Sequence, residues 1–372
     1  MKARNSMSLQ FVIGSSGSGK STKLFNDIIK KSLEKPHEQF IFIVPDQFTM
    51  ETQEKIVELH PYQSVMNIDV LSFKRLAYKV FGELSIKTND ILGEMGKNLI
   101  LRKIMEDKKN DLKIFKSSMG KKGSISKIRS LISEFSQYGI GPLDIEKFKE
   151  FTNLSDRFKD KVSDIETIYK AFNDFIEGEY ITQDEILDRF IHYIDKSKLI
   201  KYQTVILDGF TGFTPIQLKV IRKIMPLVKD MYISLTLDKR EYPFSEYNEQ
   251  ELFYLSKETI SKITSIANEK NVDIKAPQIL DDTKNKRYKN SPELAFLEQN
   301  LFRNTHEKYR KKVENINLIR TSNKNQELSY IASQIRELCR TKGYKYSDFL
   351  VISSDVEAVS YTHLTLPTKR IV

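Results

Sequence analysis

Eight consecutive residues constrain this chain more than any other feature. Gly14-Ser15-Ser16-Gly17-Ser18-Gly19-Lys20-Ser21 fits the pattern GxxxxGK[ST] of a phosphate-binding loop. Glycines let successive backbone N–H groups turn inward around a phosphate, and a following helix adds its positive N-terminal end. Such a pattern also arises by chance in loops, so its surroundings decide. Leu9-Gln10-Phe11-Val12-Ile13 reads as a short buried strand before it. Leu24, Ile28, Ile29 and Leu33 recur at helical spacing after it, until Pro36 forbids continuation. The chain has only 14 glycines in 372 residues, about half of the roughly 7% ordinary usage, yet Gly14, Gly17 and Gly19 fall within six positions. In this reading the loop from Gly14 to Ser21 holds a nucleotide. Lys20 reaches the β- and γ-phosphates, and Ser21 holds Mg²⁺ through its hydroxyl.

The surrounding pattern is that of a parallel sheet. Phe40-Ile41-Phe42-Ile43-Val44 is a second apolar strand stopped by Pro45, Met66 to Leu71 reads as a third, and Phe73 to Phe81 as a helix. Strands alternating with helices argue for parallel α/β architecture. From about Lys87 to Lys198 the pattern is helical. Ile125, Ile128, Leu131, Ile132 and Phe135 line one face, and Val162, Ile165, Ile168, Tyr169, Phe172 and Phe175 another, which predicts an all-helical insertion. Strands return at Thr204 to Asp208 and Met231 to Leu235. The basic run Lys284 to Lys289 reads as a solvated loop. Ile316 to Arg320, a helix over Glu327 to Cys339, and Phe349 to Ile352 read as the start of a further βαβ unit.

Composition narrows the class. At 372 residues the chain exceeds what one core usually fills, so two or three domains are expected. A single cysteine, Cys339, excludes a disulfide framework and any multi-cysteine metal or iron–sulfur site within the chain. No run approaches the ~18 apolar residues of a membrane span. The N-terminal segment lacks a signal-peptide core, so a cytoplasmic protein with no membrane association is expected. The net charge of +10 suits polyanionic partners, although dispersed lysine suits plain solubility equally.

A phosphate loop of this class needs an acidic partner at the end of a buried strand, to hold Mg²⁺ through water. Asp208 follows Val205-Ile206-Leu207 and fits. The next residue, where such ATPases usually carry a glutamate that polarises the attacking water, is Gly209. Glycine cannot act as a base. Either another carboxylate substitutes, or the site binds ATP and hydrolyses it poorly. No catalytic residue is therefore assigned.

Four segments in order carry a resemblance: Phe11-Val12-Ile13 running into the loop, Val44-Pro45-Asp46-Gln47-Phe48-Thr49, Leu71-Ser72-Phe73-Lys74-Arg75-Leu76-Ala77, and Leu207-Asp208-Gly209-Phe210-Thr211-Gly212-Phe213-Thr214-Pro215. Over about residues 7 to 358 the chain resembles the AddB family, one of the two kinds of chain that make up the bacterial ATP-dependent helicase/deoxyribonuclease AddAB. The resemblance implies a superfamily-1 helicase fold: a P-loop RecA-like parallel sheet over 7–86 and 199–312, the helical insertion over 87–198, and a truncated second RecA-like domain over 313–358. It implies an AddA-like helicase/nuclease partner in a heterodimer. It also implies double- and single-stranded DNA as substrates, and reading of the unpaired strand for the recombination hotspot Chi. ATP and Mg²⁺ are the expected cofactors. The family's nuclease domain and iron–sulfur cluster belong beyond residue 372, so no nuclease activity is assigned to this chain.

The family's DNA-reading positions correspond here to Gln47, Thr49, Phe73, Arg75, Tyr78 and Phe210. The residue types suit such a role, because aromatic faces stack on unpaired bases, glutamine bonds base edges, and arginine forks onto phosphate or guanine. Where the family often has a larger aromatic, this chain has Tyr78. Phe73 and Tyr78 sit equally well on the buried face of a helix. A second reading is a self-sufficient P-loop DNA-dependent ATPase or helicase whose catalytic carboxylate comes from elsewhere. Two expectations concern the ends: translation starting at Met7, and a non-native tail over 359–372.

Overall fold

The structure is a computed structural model that describes residues 7–86, 91–118, 122–148, 155–176, 181–182, 186–280, 286–303 and 305–353. The expected tail, 359–372, and the six residues before Met7 lie outside these. Two compact units are distinguished, 1–289 and 290–372.

In the first unit, β1 (Ser8–Gly14) is followed by α1 (Lys20–Glu34), β2 (Phe40–Ile43), α2 (Thr49–Leu59), β3 (Ile68–Leu71) and α3 (Phe73–Glu83). After the helical segment come β6 (Thr204–Leu207), α9 (Pro215–Ile224), β7 (Asp230–Thr236), α10 (Tyr254–Glu269), β8 (Asp273–Ile274) and β9 (Gln278–Ile279). The strands form one seven-stranded sheet in the order β3-β2-β6-β7-β1-β8, with β9 also on β1. Every pairing is parallel. Helices cover both faces, which is why the strands are apolar on both sides. Leu9, Phe11 and Ile13 pack on one face with α3, α9 and α10. Val12 packs on the other with Leu24, Phe25 and Ile28 of α1. The arrangement is the expected P-loop α/β sheet of RecA-like type.

Helix α2 has no counterpart in the sequence reading. It buries Thr49, Thr52 and Ile56, a mostly polar stripe that carries little hydrophobic periodicity.

The inserted segment differs from expectation in two ways. It is not all-helical, because β4 (Ile91–Leu92) and β5 (Ile181–Thr182) form a small parallel pair. Helices α4 (Glu94–Asp107), α5 (Lys122–Tyr138), α6 (Pro142–Phe148) and α7 (Asp156–Ile176) enclose a separate core of Leu101, Ile104, Ile132, Ile168 and Phe172. Buried Asp164 of α7 accepts the backbone N–H groups of Lys113, Ile114 and Phe115 at 2.9, 2.7 and 2.9 Å. That satisfies a charge that would otherwise be costly to bury. The last helix, α8 (Ile186–Tyr193), instead adds Ile186, Leu187 and Phe190 to the core of the sheet. The lobe's own core therefore ends with α7, ahead of residue 198.

The second unit contains α11 (Pro292–Asn300) and α12 (Lys324–Lys342). The side chain of Asn323 caps α12 by accepting Gln326 N–H at 2.9 Å, and Gly343 at φ 73° closes it. The expected strands at Ile316–Arg320 and Phe349–Ile352 do not form. A strand needs a ladder partner, and these two segments pair neither with each other nor with any other described segment of the unit. Leu318, Leu350 and Ile352 are accordingly exposed. No helix among the described residues is long and apolar enough to cross a membrane.

Candidate nucleotide and strand-binding edge

The phosphate loop leaves the C-terminal end of β1, the edge at which open α/β sheets place their ligands. Gly17 and Gly19 hold φ of +78° and +91°, a left-handed backbone that other residues adopt at a cost. Gly19 is the residue before α1, and no side chain caps that helix; its first turn holds no acidic residue. A helix start of this kind suits an anion. The hydroxyl of Ser18 is buried beside Gly14 and has no hydrogen-bond partner. Lys20 Nζ bridges the loop by donating to the carbonyls of Gly14 and Ser15 at 2.9 and 2.8 Å. These features fit a nucleotide's phosphates, with the lysine transferring its bonds from carbonyls to phosphate oxygens. Ser21 follows Lys20 in α1 and is half-buried.

Asp208 lies one residue past β6 and is buried, with its backbone N–H on Ile43 O at 3.1 Å and its carboxylate accepting the Ser234 hydroxyl. The ladder sets it level with Ser234 and hence Val12. Two strand spacings separate it from β1, about 10 Å, a span suited to holding a cation through water. No group of three or more His, Cys, Asp or Glu side chains that could hold a metal ion occurs among the described residues. Gly209 adopts φ +78°. The residue after Asp208 is therefore turned into a conformation suited to glycine.

Two charged residues near the loop were not singled out from sequence. Asp238 follows β7, beside the loop's first residue, since Leu237 N–H donates to Gly14 O at 3.1 Å. It is buried and grips Arg240 through Nε and Nη2 at 3.0 and 2.6 Å. Its signal was available: Leu235-Thr236-Leu237-Asp238 ends a strand in aspartate just as Leu207-Asp208 does. The second is Arg287, whose Nη1 lies 3.2 Å from Ser16 Oγ. At this residue the basic run 284–289 is not merely solvated; it touches the phosphate loop.

The expected DNA-reading residues follow β2, β3 and β6, three neighbouring strands, so their segments meet along one edge. Their exposure divides them. Gln47 and Arg75 are exposed, Tyr78 is 37% exposed, and Phe210 is half-buried. Burial pushes the Tyr78 hydroxyl's pKa upward, so it remains a neutral donor. Thr49 is buried, with its hydroxyl on Asp46 O at 3.0 Å. Phe73 is only 3% exposed and packs against Phe210 and Phe213, with ring centres 5.6 and 6.3 Å apart. Phe210 and Phe213 stand 4.9 Å apart. Phe73 thus supports the Phe210 ring from beneath, in the chain as it stands. Phe48, 40% exposed, completes the edge beside Gly209. It lay within a motif segment but was not singled out.

The family described as "ADDB, N-terminal" matches residues 11–298. Curated relatives, each named as the B-type subunit of an ATP-dependent helicase/deoxyribonuclease, align along almost the whole chain. The protein of Lachnoclostridium phytofermentans is 36% identical over 94% of this chain and 31% of its own length. Those of Clostridium novyi and Alkaliphilus oremlandii are 32% and 30% identical, over 94% and 95% of this chain and 30% of their own lengths. The chain spans about a third of the length of the curated relatives it matches.

Proposed function

The chain belongs to the AddB N-terminal family, and on that premise we propose that it is the ATP-binding, strand-reading part of a helicase–nuclease subunit. In this reading it works with an AddA-like partner in double-strand break repair, binds Mg·ATP at Gly14 to Ser21, and scans unpaired DNA for Chi. The observation that supports the nucleotide half is the loop itself: it leaves the end of β1, turns through two left-handed glycines, and runs into a helix start that no side chain caps. ATP supplies the triphosphate that this loop takes. Lys20 neutralises it, while Ser21 and Asp208 hold the cation. With Gly209 where a base would stand, binding exceeds hydrolysis. Gln47, Arg75, Tyr78 and Phe210, reinforced from below by Phe73 and Thr49, form the strand-reading edge.

The test is nucleotide and oligonucleotide binding by this chain, together with steady-state phosphate release with and without single-stranded DNA. The reading expects Lys20-dependent ATP binding with slow turnover. Vigorous DNA-stimulated turnover, lost in Lys20→Ala, favours a self-sufficient ATPase instead. Co-purification with an AddA-like subunit tests the partner.

A further inference from the structure

The loop from β6 to α9 carries more than Phe210, and it is fixed at both ends. Asp208 is buried where it begins. Where it closes, the Thr214 hydroxyl accepts Gln217 N–H at 3.4 Å, and Gln217 Oε1 accepts Thr214 N–H at 2.9 Å. Between these points a Cβ added at Gly212 would lie 3.6 Å from Thr259 Oγ1, so the backbone passes close to α10. This loop, the end of α5 and the start of α10 enclose a pocket of about 340 Å³, within the range of ligand sites.

The pocket's walls are apolar and open to solvent. Tyr138 of α5 and Leu255 of α10 line it, yet are 54% and 57% exposed. Phe213 lines it too, and its ring stands 4.9 Å from that of Phe210. The row Phe73, Phe210, Phe213 therefore leads from the strand-reading edge into the pocket. The rim is polar. Thr211 and Lys262 are exposed there. Glu258, also in the lining, takes Lys262 Nζ at 2.8 Å and the Tyr254 hydroxyl at 3.2 Å. A nucleobase matches both parts: its flat face stacks on rings, its edge hydrogen-bonds, and its phosphate suits an ammonium. An apolar peptide side chain would fill the walls and leave the rim unused.

We propose that this pocket takes one base of the unpaired strand beyond Phe210, stacked on Tyr138. The inference rests on the strand-reading half of the proposed function, and carries the strand's path from the sheet edge to the helical insertion.

The experiment titrates a fluorescein-labelled, mixed-sequence single-stranded oligonucleotide into the wild-type chain and the Tyr138→Ala, Tyr138→Phe, Arg75→Ala and Phe210→Ala variants. Tyr138 is exposed, so its replacement leaves the fold intact, which circular dichroism verifies. Tyr138→Ala is expected to weaken binding about tenfold, within the worth of one base–aromatic stack. Tyr138→Phe keeps the ring and is expected to stay within about twofold of wild type. No loss in Tyr138→Ala, or an equal loss in Tyr138→Phe, would overturn the inference. A second measurement irradiates the wild-type complex with an oligonucleotide containing 5-iodouracil and maps the attachment by mass spectrometry. Attachment at Tyr138 or Phe213 is expected, and attachment confined to residues 47–78 would overturn the inference. A wild-type chain that binds no oligonucleotide overturns the strand-reading proposal and this one together. Binding weakened by Arg75→Ala and Phe210→Ala but indifferent to Tyr138→Ala overturns this one alone.

Discussion

Gly209 offers a measurement in which two opposing effects have different signs. At an ordinary backbone angle, replacing glycine by alanine stabilises a protein by about 0.4–1 kcal/mol, because the unfolded chain loses freedom. At a left-handed angle the new Cβ costs roughly 1–2 kcal/mol. Gly209 has φ +78°, and a Cβ there would meet Pro45 Cδ at 3.5 Å and Phe48 Cδ2 at 3.8 Å, ordinary contacts. No overlap adds to the backbone term, so strain outweighs the entropic gain and Gly209→Ala should destabilise by about 1 kcal/mol. Gly209→Asn should cost less, because asparagine tolerates this region. Gly209→Glu should cost as much as alanine and leave phosphate release at the wild-type rate, since the carboxylate enters on a backbone shaped for glycine. Urea unfolding followed by circular dichroism, with turnover measured alongside, covers all three. An alanine variant as stable as wild type, or more stable, refutes the strain argument; a glutamate variant that turns over ATP briskly refutes the chemical one.

Lys20→Ala should abolish or strongly weaken ATP binding, read by equilibrium titration; unchanged affinity would remove Lys20 from the site. Phe73→Ala should destabilise the first unit by about 3–5 kcal/mol, as for other buried phenylalanines, so a loss of DNA binding in that variant would report folding. Arg75→Ala, an exposed change, should weaken oligonucleotide binding while leaving the unfolding midpoint within error, and a shifted midpoint would count against a surface role. The Glu38 carboxylate is held below its ordinary range, first by its hydrogen bond from Lys229 at 2.8 Å, against an opposing push from burial. A depressed folded value stabilises above the ordinary ~4.3 and is lost as pH falls through the folded value. Lys229→Met should therefore cost stability at pH 7, by at most about 1 kcal/mol for so exposed a pair, and progressively less as pH falls below the ordinary carboxylate value; a pH-independent difference would contradict this.

What could be read from the sequence was what is local. The phosphate loop is contiguous, and β1, β2, β6 and β7 are apolar runs whose burial on both faces leaves no ambiguity. The fate of Phe73 was also written in the spacing: Phe73, Leu76, Ala77 and Val80 recur at helical intervals and are all buried, whereas Arg75 and Tyr78 fall on the other side. Helix α2 escaped because its buried stripe is mostly threonine. Asp238 and Arg287 escaped because nothing in their neighbourhoods names the loop they reach; the contact between Ser16 and Arg287 spans 271 positions. The strands expected after residue 313 failed for the opposite reason. Their composition is right, but a strand is defined by a partner, which composition cannot supply.

The pairing of β1 has a consequence for how the protein is made. Its neighbours in the sheet are β7 on one side and β8 with β9 on the other, so Ser8 waits 222 residues for Asp230. At about 5–20 residues per second, roughly 11–44 seconds pass between synthesis of the first strand and of its partner. Throughout that interval an apolar strand emerges from the ribosome with both edges open, the condition under which chains associate wrongly. Contacts this distant also slow folding once the chain is complete. The phosphate loop is thus translated well before β7, and it takes shape only once that strand has docked against β1.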